Sequence, residues 1–231
     1  MKLRFTVIAC ILLIAGIVVA KEKIVLKTQK DKASYSIGLD IGNSLKTQAI
    51  DINPDALAQG IRDAYSGNKP VLSENEINEV MTVFKKEAMA KQQERTKALS
   101  DKNKKEGEAF LNENKKKEGV ITLPSGLQYK IVKEGDGKTP KASDTVTVNY
   151  RGTLIDGTEF DSSYKRGQPA SFAVNGVIRG WTEALQLMKE GSKWQLFIPS
   201  NLAYGERGAG QLIGPNAVLI FEVELISVKE K

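Results

Sequence analysis

The apolar positions change their period several times along the chain, and the changes mark out its parts. An apolar run from Phe5 to Ala20, broken only by Thr6, follows Lys2 and Arg4 and is followed by Lys21-Glu22-Lys23. Between Lys23 and Gly67 the spacing is helical, first through Tyr35, Ile37, Leu39, Ile41 and Leu45, then through Leu57, Ile61 and Tyr65 behind an Asn53-Pro54 start. Gly67-Asn68-Lys69-Pro70 ends that pattern. Ser73 and Glu76 form a capping-box pair ahead of a stripe of Ile77, Val80, Met81, Phe84 and Ala88.

Beyond Met89 the stripe thins to Leu99, Phe110 and Leu111, and Lys, Glu, Gln and Asn dominate. Glu87/Lys91, Asp101/Lys105 and Glu113/Lys117 stand four apart with the acid first, the favourable order on a helix surface. The spacing predicts an exposed helix from Ser73 to about Lys117, roughly 65 Å long if unbroken. Its weak point is Gly107, which costs about 1 kcal/mol relative to alanine in a helix interior. A charged, disordered linker is the alternative reading of the same composition.

At Gly119 the lysine runs give way to alternating apolar residues with turn glycines and prolines. Strands are expected at Leu127–Lys133, Thr145–Thr153, Ala170–Val174, Lys193–Pro199 and Ala217–Val228, with one short helix from Trp181 to Met188 closed by Gly191. The fold class is α+β: an antiparallel sheet wrapped on one short helix, preceded by an all-α arm and a long connecting helix. The expected divisions are a signal peptide at 1–20, a helical N-terminal region at 21–72, the connecting helix at 73–118 and the sheet domain at 119–231.

The apolar run of about 16 residues is short of the roughly 20 that span a bilayer, and Val18-Val19-Ala20 supplies small residues for cleavage, so the chain is expected to be exported. Val7-Ile8-Ala9-Cys10 resembles a lipoprotein box and leaves lipidation at Cys10 as the alternative. Histidine is absent and Cys10 is the only cysteine, which excludes thiol nucleophiles, Ser-His-Asp triads, disulfides and zinc sites from the candidate chemistry. The net charge of +6 is spread through Lys/Glu-rich segments with no basic stripe interleaved with aromatics, so no nucleic-acid partner is expected. Gly38 and Gly42, four apart on one face, would let another helix approach closely, and they predict self-association.

Three segments of the last domain gather unusual residues: Val148-Asn149-Tyr150-Arg151-Gly152 with Asp156-Gly157-Thr158-Glu159-Phe160-Asp161-Ser162-Ser163, then Val177-Ile178-Arg179-Gly180-Trp181, then Ile198-Pro199 with Ala203-Tyr204-Gly205. With Gly214-Pro215-Asn216-Ala217 and the final strand Leu219 to Leu225, this set resembles an FKBP-type peptidyl-prolyl cis/trans isomerase domain. The whole layout resembles the bacterial macrophage infectivity potentiator (Mip) branch, which implies an envelope homodimer, in the periplasm or associated with the outer membrane.

The resemblance implies an apolar pocket for a prolyl ring. Asp161, Tyr204, Tyr150, Phe160 and Trp181 are the expected catalytic group, with Trp181 as floor. Ile178, Val177, Phe172, Arg166, Leu212, Ile213 and Phe221 are the expected substrate contacts. It further implies that the Ile178 amide and the Tyr204 hydroxyl donate to the bound peptide, and that Asp161 faces the rotating amide and pairs with Arg166. Substrates would be proline-containing, unfolded or partly folded proteins, macrolides such as rapamycin would be ligands, and no cofactor or metal is implied. Ala170 and Ala209 depart from the familiar eukaryotic pattern, where an aromatic and a histidine are common. A holdase chaperone, gripping clients with its helical arm, is the rival reading. Asp156, Glu159 and Asp161 crowd into one turn and lack the separation of a glycosidase pair.

Overall fold

The structure is a computed structural model that describes residues 24–231. The expected signal peptide, with its cleavage site and Cys10, lies outside the described residues. The chain divides into two compact units at Ser73/Glu74.

In the first unit, α1 spans Gln29–Thr47 and α2 spans Pro54–Ser66. Thr28 and Asp31 close a reciprocal capping box at the start of α1, with bonds of 2.8 and 3.1 Å. The Asn53 side chain accepts from the Asp55 and Ala56 amides ahead of Pro54, and Gly67 ends α2 in the left-handed region at φ 68°. Neither helix buries a residue, and Tyr35, Ile37, Leu39, Ile61 and Tyr65 are exposed.

The second unit opens with α3, Glu74–Asn114, a single helix of 41 residues that runs through Gly107. Seven strands follow: β1 (Val120–Thr122), β2 (Gln128–Lys133), β3 (Thr145–Leu154), β4 (Glu159–Ser162), β5 (Ala170–Ala173), β6 (Lys193–Ile198) and β7 (Leu219–Lys229), with α4 (Arg179–Leu185) between β5 and β6. All pairings are antiparallel in the order β1-β2-β6-β7-β3-β4, and β5 shares the β3 edge with β4. The α+β architecture is the one expected. The short strands β1 and β4 were not foreseen, and α4 begins two residues earlier and stops three residues sooner than the pattern predicts.

Strict alternation sends Val146, Val148 and Tyr150 of β3, Leu196 and Ile198 of β6, and Phe221, Val223 and Leu225 of β7 inward, where they close over Trp181, Ala184 and Leu185 of α4. Gly180 lets α4 sit against β6, since a Cβ there would stand 2.5 Å from the Ile198 Cγ2.

Phe197 breaks the alternation: it points to the opposite face yet is buried, because Phe110 of α3 covers it with ring centroids 6.0 Å apart. Further along the helix Asn114 Nδ2 donates to Gln128 Oε1 at 3.0 Å, and Gln128 Nε2 donates to the Leu111 carbonyl at 2.9 Å. The C-terminal turns of α3 therefore pack on the sheet, a difference from the uniformly exposed helix that its composition predicts. Glu113 also pairs with Lys116 at 2.7 Å, while Lys117 lies 5.6 Å over the Phe110 ring.

Candidate active site

β3, β4, β7 and α4 meet around a cavity of about 570 Å³ lined by Tyr150, Phe160, Asp161, Phe172, Val177, Ile178, Trp181, Tyr204, Ile213 and Phe221, with Gly176, Ala209 and Gly210 at its margins. Trp181 enters from the first turn of α4. Its ring meets Tyr150 (5.3 Å between centroids, 88°), Phe172 (5.8 Å, 84°) and Phe221 (5.2 Å, 81°) edge to face, the arrangement that the ring quadrupoles favour. Phe160 stands against Phe221 at 5.4 Å and 83°.

Gly152 makes this wall feasible. It pairs with Asp161 on one side and Phe221 on the other, and a Cβ would come within 2.6 Å of Phe160 and 2.7 Å of Phe221. Ser163, fully buried, seals the gap on the β3 edge between β4 and β5: its amide donates to the Tyr150 carbonyl, and its hydroxyl accepts from the Tyr150 amide, both at 2.9 Å. Tyr150 is thus fixed by backbone as well as by ring packing.

One carboxylate faces the rings. Asp161 Oδ2 accepts from the Tyr150 hydroxyl at 2.5 Å, and Oδ1 accepts from Arg166 Nη1 and, at 2.8 Å, from the Ser162 amide. Arg166 Nη2 also donates to the Tyr150 hydroxyl at 2.7 Å, and the guanidinium lies 5.3 Å over the Tyr150 ring. Desolvation pushes the Asp161 carboxyl up, but the Tyr150 and Arg166 hydrogen bonds, the Arg166 charge and the Ser162 amide together hold it below its usual value of 3.8. Burial, followed by the bond to Asp161, raises Tyr150 above 10.0. The carboxylate is therefore ionised and the phenol protonated throughout the neutral range.

Ile178 caps α4, with its carbonyl accepting from Trp181 at 2.9 Å and Thr182 at 3.0 Å, whereas its own amide donates to no described group. Of the expected site residues, ten line the cavity. Arg166 instead stands behind it, on Asp161 and Tyr150. Leu212 is 53% exposed and does not line the cavity, because the tight Ala209–Ile213 bridge turns the tip of the loop outward. Ala170 pairs with Val148 in the sheet and lies outside the lining. Gly152 and Ser163 were legible only as parts of a motif, and their roles depend on neighbours across the sheet. Among the described residues no cluster of three or more His, Cys, Asp or Glu side chains could hold a metal.

A ring-walled cavity on an antiparallel sheet closed over a short helix is the arrangement that the resemblance to prolyl isomerases implies. Residues 136–226 match the family described as FKBP-type peptidyl-prolyl cis-trans isomerase, and residues 30–131 match the domain amino terminal to it. The chain belongs to the FKBP-type peptidyl-prolyl cis-trans isomerases. It is 55% identical to the outer membrane protein MIP of Legionella longbeachae over 89% of this chain and 88% of that protein. With the peptidyl-prolyl cis-trans isomerase Mip of Coxiella burnetii it shares 48% identity over 89% and 90% of the two chains. The crystal structure of FkpA from Escherichia coli is similar with a TM-score of 0.68 and 42% identity, covering 89% of this chain and 99% of that one.

Proposed function

We propose that the ring-walled cavity accelerates rotation about Xaa-Pro bonds by desolvating the imide, and that it serves exported proteins as they fold. The barrier to rotation, about 18–20 kcal/mol, comes from amide resonance, and twisting the bond removes both the resonance and its charge separation. An apolar cavity disfavours the planar, polar form relative to the twisted one, so it binds the transition state better than the ground state. No proton transfer is needed.

Trp181 is the floor for the prolyl ring, with Tyr150, Phe160, Phe172 and Phe221 around it. The Ile178 amide and the Tyr204 hydroxyl hold the carbonyls of the flanking peptide. Asp161, fixed by Tyr150 and Arg166, faces the rotating amide. The observation that carries this reading is the single carboxylate set among apolar rings and held by three donors.

The test is the cis/trans exchange rate of a short Xaa-Pro peptide. Asp161→Leu or Tyr204→Ala lowers kcat/KM by at least about tenfold, equivalent to roughly 1.4 kcal/mol of transition-state binding, with the fold intact by circular dichroism. Unchanged rates in folded variants would overturn the assignment. Macrolides such as rapamycin would occupy the same cavity and compete with the peptide.

The arm is read as a homodimerisation element. Its support is the set of exposed apolar residues on α1 and α2, together with Gly38 and Gly42, at which a Cβ would meet nothing within 4 Å. Placement in the periplasm or at the outer membrane rests on the N-terminal signal pattern and on the name of the Legionella relative. Among the described residues no helix is long and apolar enough to cross a membrane.

A further inference from the structure

Two polar side chains on one face of α3 reach the loop that carries part of the cavity wall. Asn103 Nδ2 donates to the Pro215 carbonyl at 2.8 Å, and one helical turn earlier Ser100 Oγ accepts from Asn216 Nδ2 at 2.8 Å. Between these bonds Gly214 lies so close to the helix that a Cβ would stand 3.0 Å from Asn103 Nδ2 and 3.1 Å from Leu99 Cδ2. Asn216 itself sits in the left-handed region at φ 56°, which asparagine tolerates better than most residues. Its backbone amide donates to the Gly205 carbonyl at 2.8 Å, beside Tyr204.

The loop so anchored bears cavity residues. Ala209 and Ile213 exchange backbone bonds of 2.8 and 3.2 Å, and both line the cavity with Gly210. At the root of the loop, a Cβ on Gly208 would be 2.2 Å from the Ile213 carbonyl oxygen. A displacement of Pro215 and Asn216 would therefore be passed to Ile213 and Ala209 on one side and to Gly205 and Tyr204 on the other.

We infer that Ser100 and Asn103 of α3 are positioning residues of the isomerase site, holding the Gly208–Asn216 loop in place for substrate to bind. This rests on the cavity being the site proposed above. Both residues touch the loop and neither lines the cavity, so their loss acts through Ile213 and Ala209 and, by way of Gly205, through Tyr204, which holds a carbonyl of the bound peptide. Those are binding contacts available to ground and transition state alike, so the expected defect lies in KM more than in kcat.

The experiment uses the full chain with Asn103→Ala, Asn103→Asp and the double variant Ser100→Ala/Asn103→Ala, and the exposed Glu108→Ala as control. On a short Xaa-Pro peptide the double variant should raise KM about three- to tenfold with kcat within about twofold of the parent. Asn103→Asp, which keeps the shape but sets an acceptor against the Pro215 carbonyl, should do at least as much harm as Asn103→Ala. Hydrogen exchange at the Ala209 and Ile213 amides should speed up while that of Val223, in the core of β7, stays put.

A KM within twofold of the parent in the double variant overturns the inference whatever the exchange shows. A rise in KM accompanied by equal loss of protection at Val223 overturns it too, because general destabilisation then explains both. A fall in kcat at unchanged KM also counts against it. Failure of the cavity reading has a separate signature, an unimpaired Asp161→Leu enzyme. If the positioning role alone fails, that variant stays impaired while the helix variants keep the parental KM.

Discussion

Asp161 brings a negative charge to a wall of aromatic rings, and its three donors decide what that charge can do. The Asp161 and Arg166 side chains are 43% and 45% exposed, so water screens the pair and its value lies in orientation more than in stability. The pH behaviour follows from the signs. A carboxyl held below its usual 3.8 contributes stability above its unfolded pKa and loses that contribution only as pH falls through the lower, folded pKa. Tyr150, raised above 10.0, keeps its proton until well into alkali, and the chain contains no histidine. Activity is therefore expected to be nearly flat between about pH 5.5 and 8, and to fall only under more acidic conditions. A bell-shaped kcat/KM profile centred near neutrality would show that proton transfer limits the reaction.

At the scale of elements, α3 is the one whose role changes most between sequence and structure. Gly107 looks like a flaw in a solvated helix, where alanine would gain about 1 kcal/mol. In the fold it is buried, and a Cβ would lie 2.7 Å from Val218 Cγ2, on a short and stiff side chain. Overpacking of this kind costs about 1–3 kcal/mol, which at least offsets the propensity gain. Gly107→Ala is thus expected to leave Tm unchanged or lower it by several degrees, and calorimetry reading a higher Tm would contradict the packing argument. The same contacts bear on how the catalytic part is isolated. A fragment beginning at Gly119 loses Phe110, Asn114 and Gly107 from their places on the sheet, whereas one beginning at Ala98 keeps them.

For the whole molecule, the exposed faces of α1 and α2 make association the property to measure. The chain from Lys21 onward is expected to sediment as a dimer and the fragment from Ala98 as a monomer; equal sedimentation as monomers would remove the dimerisation role from the arm. The two forms should act alike on a tetrapeptide, which needs only one cavity. They should differ on a protein whose slow refolding is limited by proline, a phase of roughly 10–100 s without catalyst. Two tethered domains raise the local concentration of binding surface, a gain that reaches about a hundredfold when geometry allows. Equal acceleration per active site would leave the arm as a dimer clamp and end its role with clients.

Local chemistry sufficed for the helix starts at Asn53 and just after Ser73, the stop at Gly67, and the strands whose alternation runs five residues or more, because capping and period are written in adjacent residues. β1, with three residues, is too short to show a period, and β4 is hidden because it carries Asp161 amid turn-like residues. The rings of the site and the Asp161–Arg166 pair were legible as members of a motif set, whereas the bond from Arg166 to the Tyr150 hydroxyl, its place outside the cavity lining and the outward turn of Leu212 were set by packing across the sheet and loop. Least legible were Ser100, Asn103, Gly107 and Asn114, polar or small residues in a charged helix that by composition belong in water. Their partners, Asn216, Pro215 and Val218, come from the segment ahead of the last strand, and Gln128 comes from β2. A periodicity within one helix carries no record of which distant surface will cover it, so only the tertiary structure could decide that α3 ends as part of the catalytic domain.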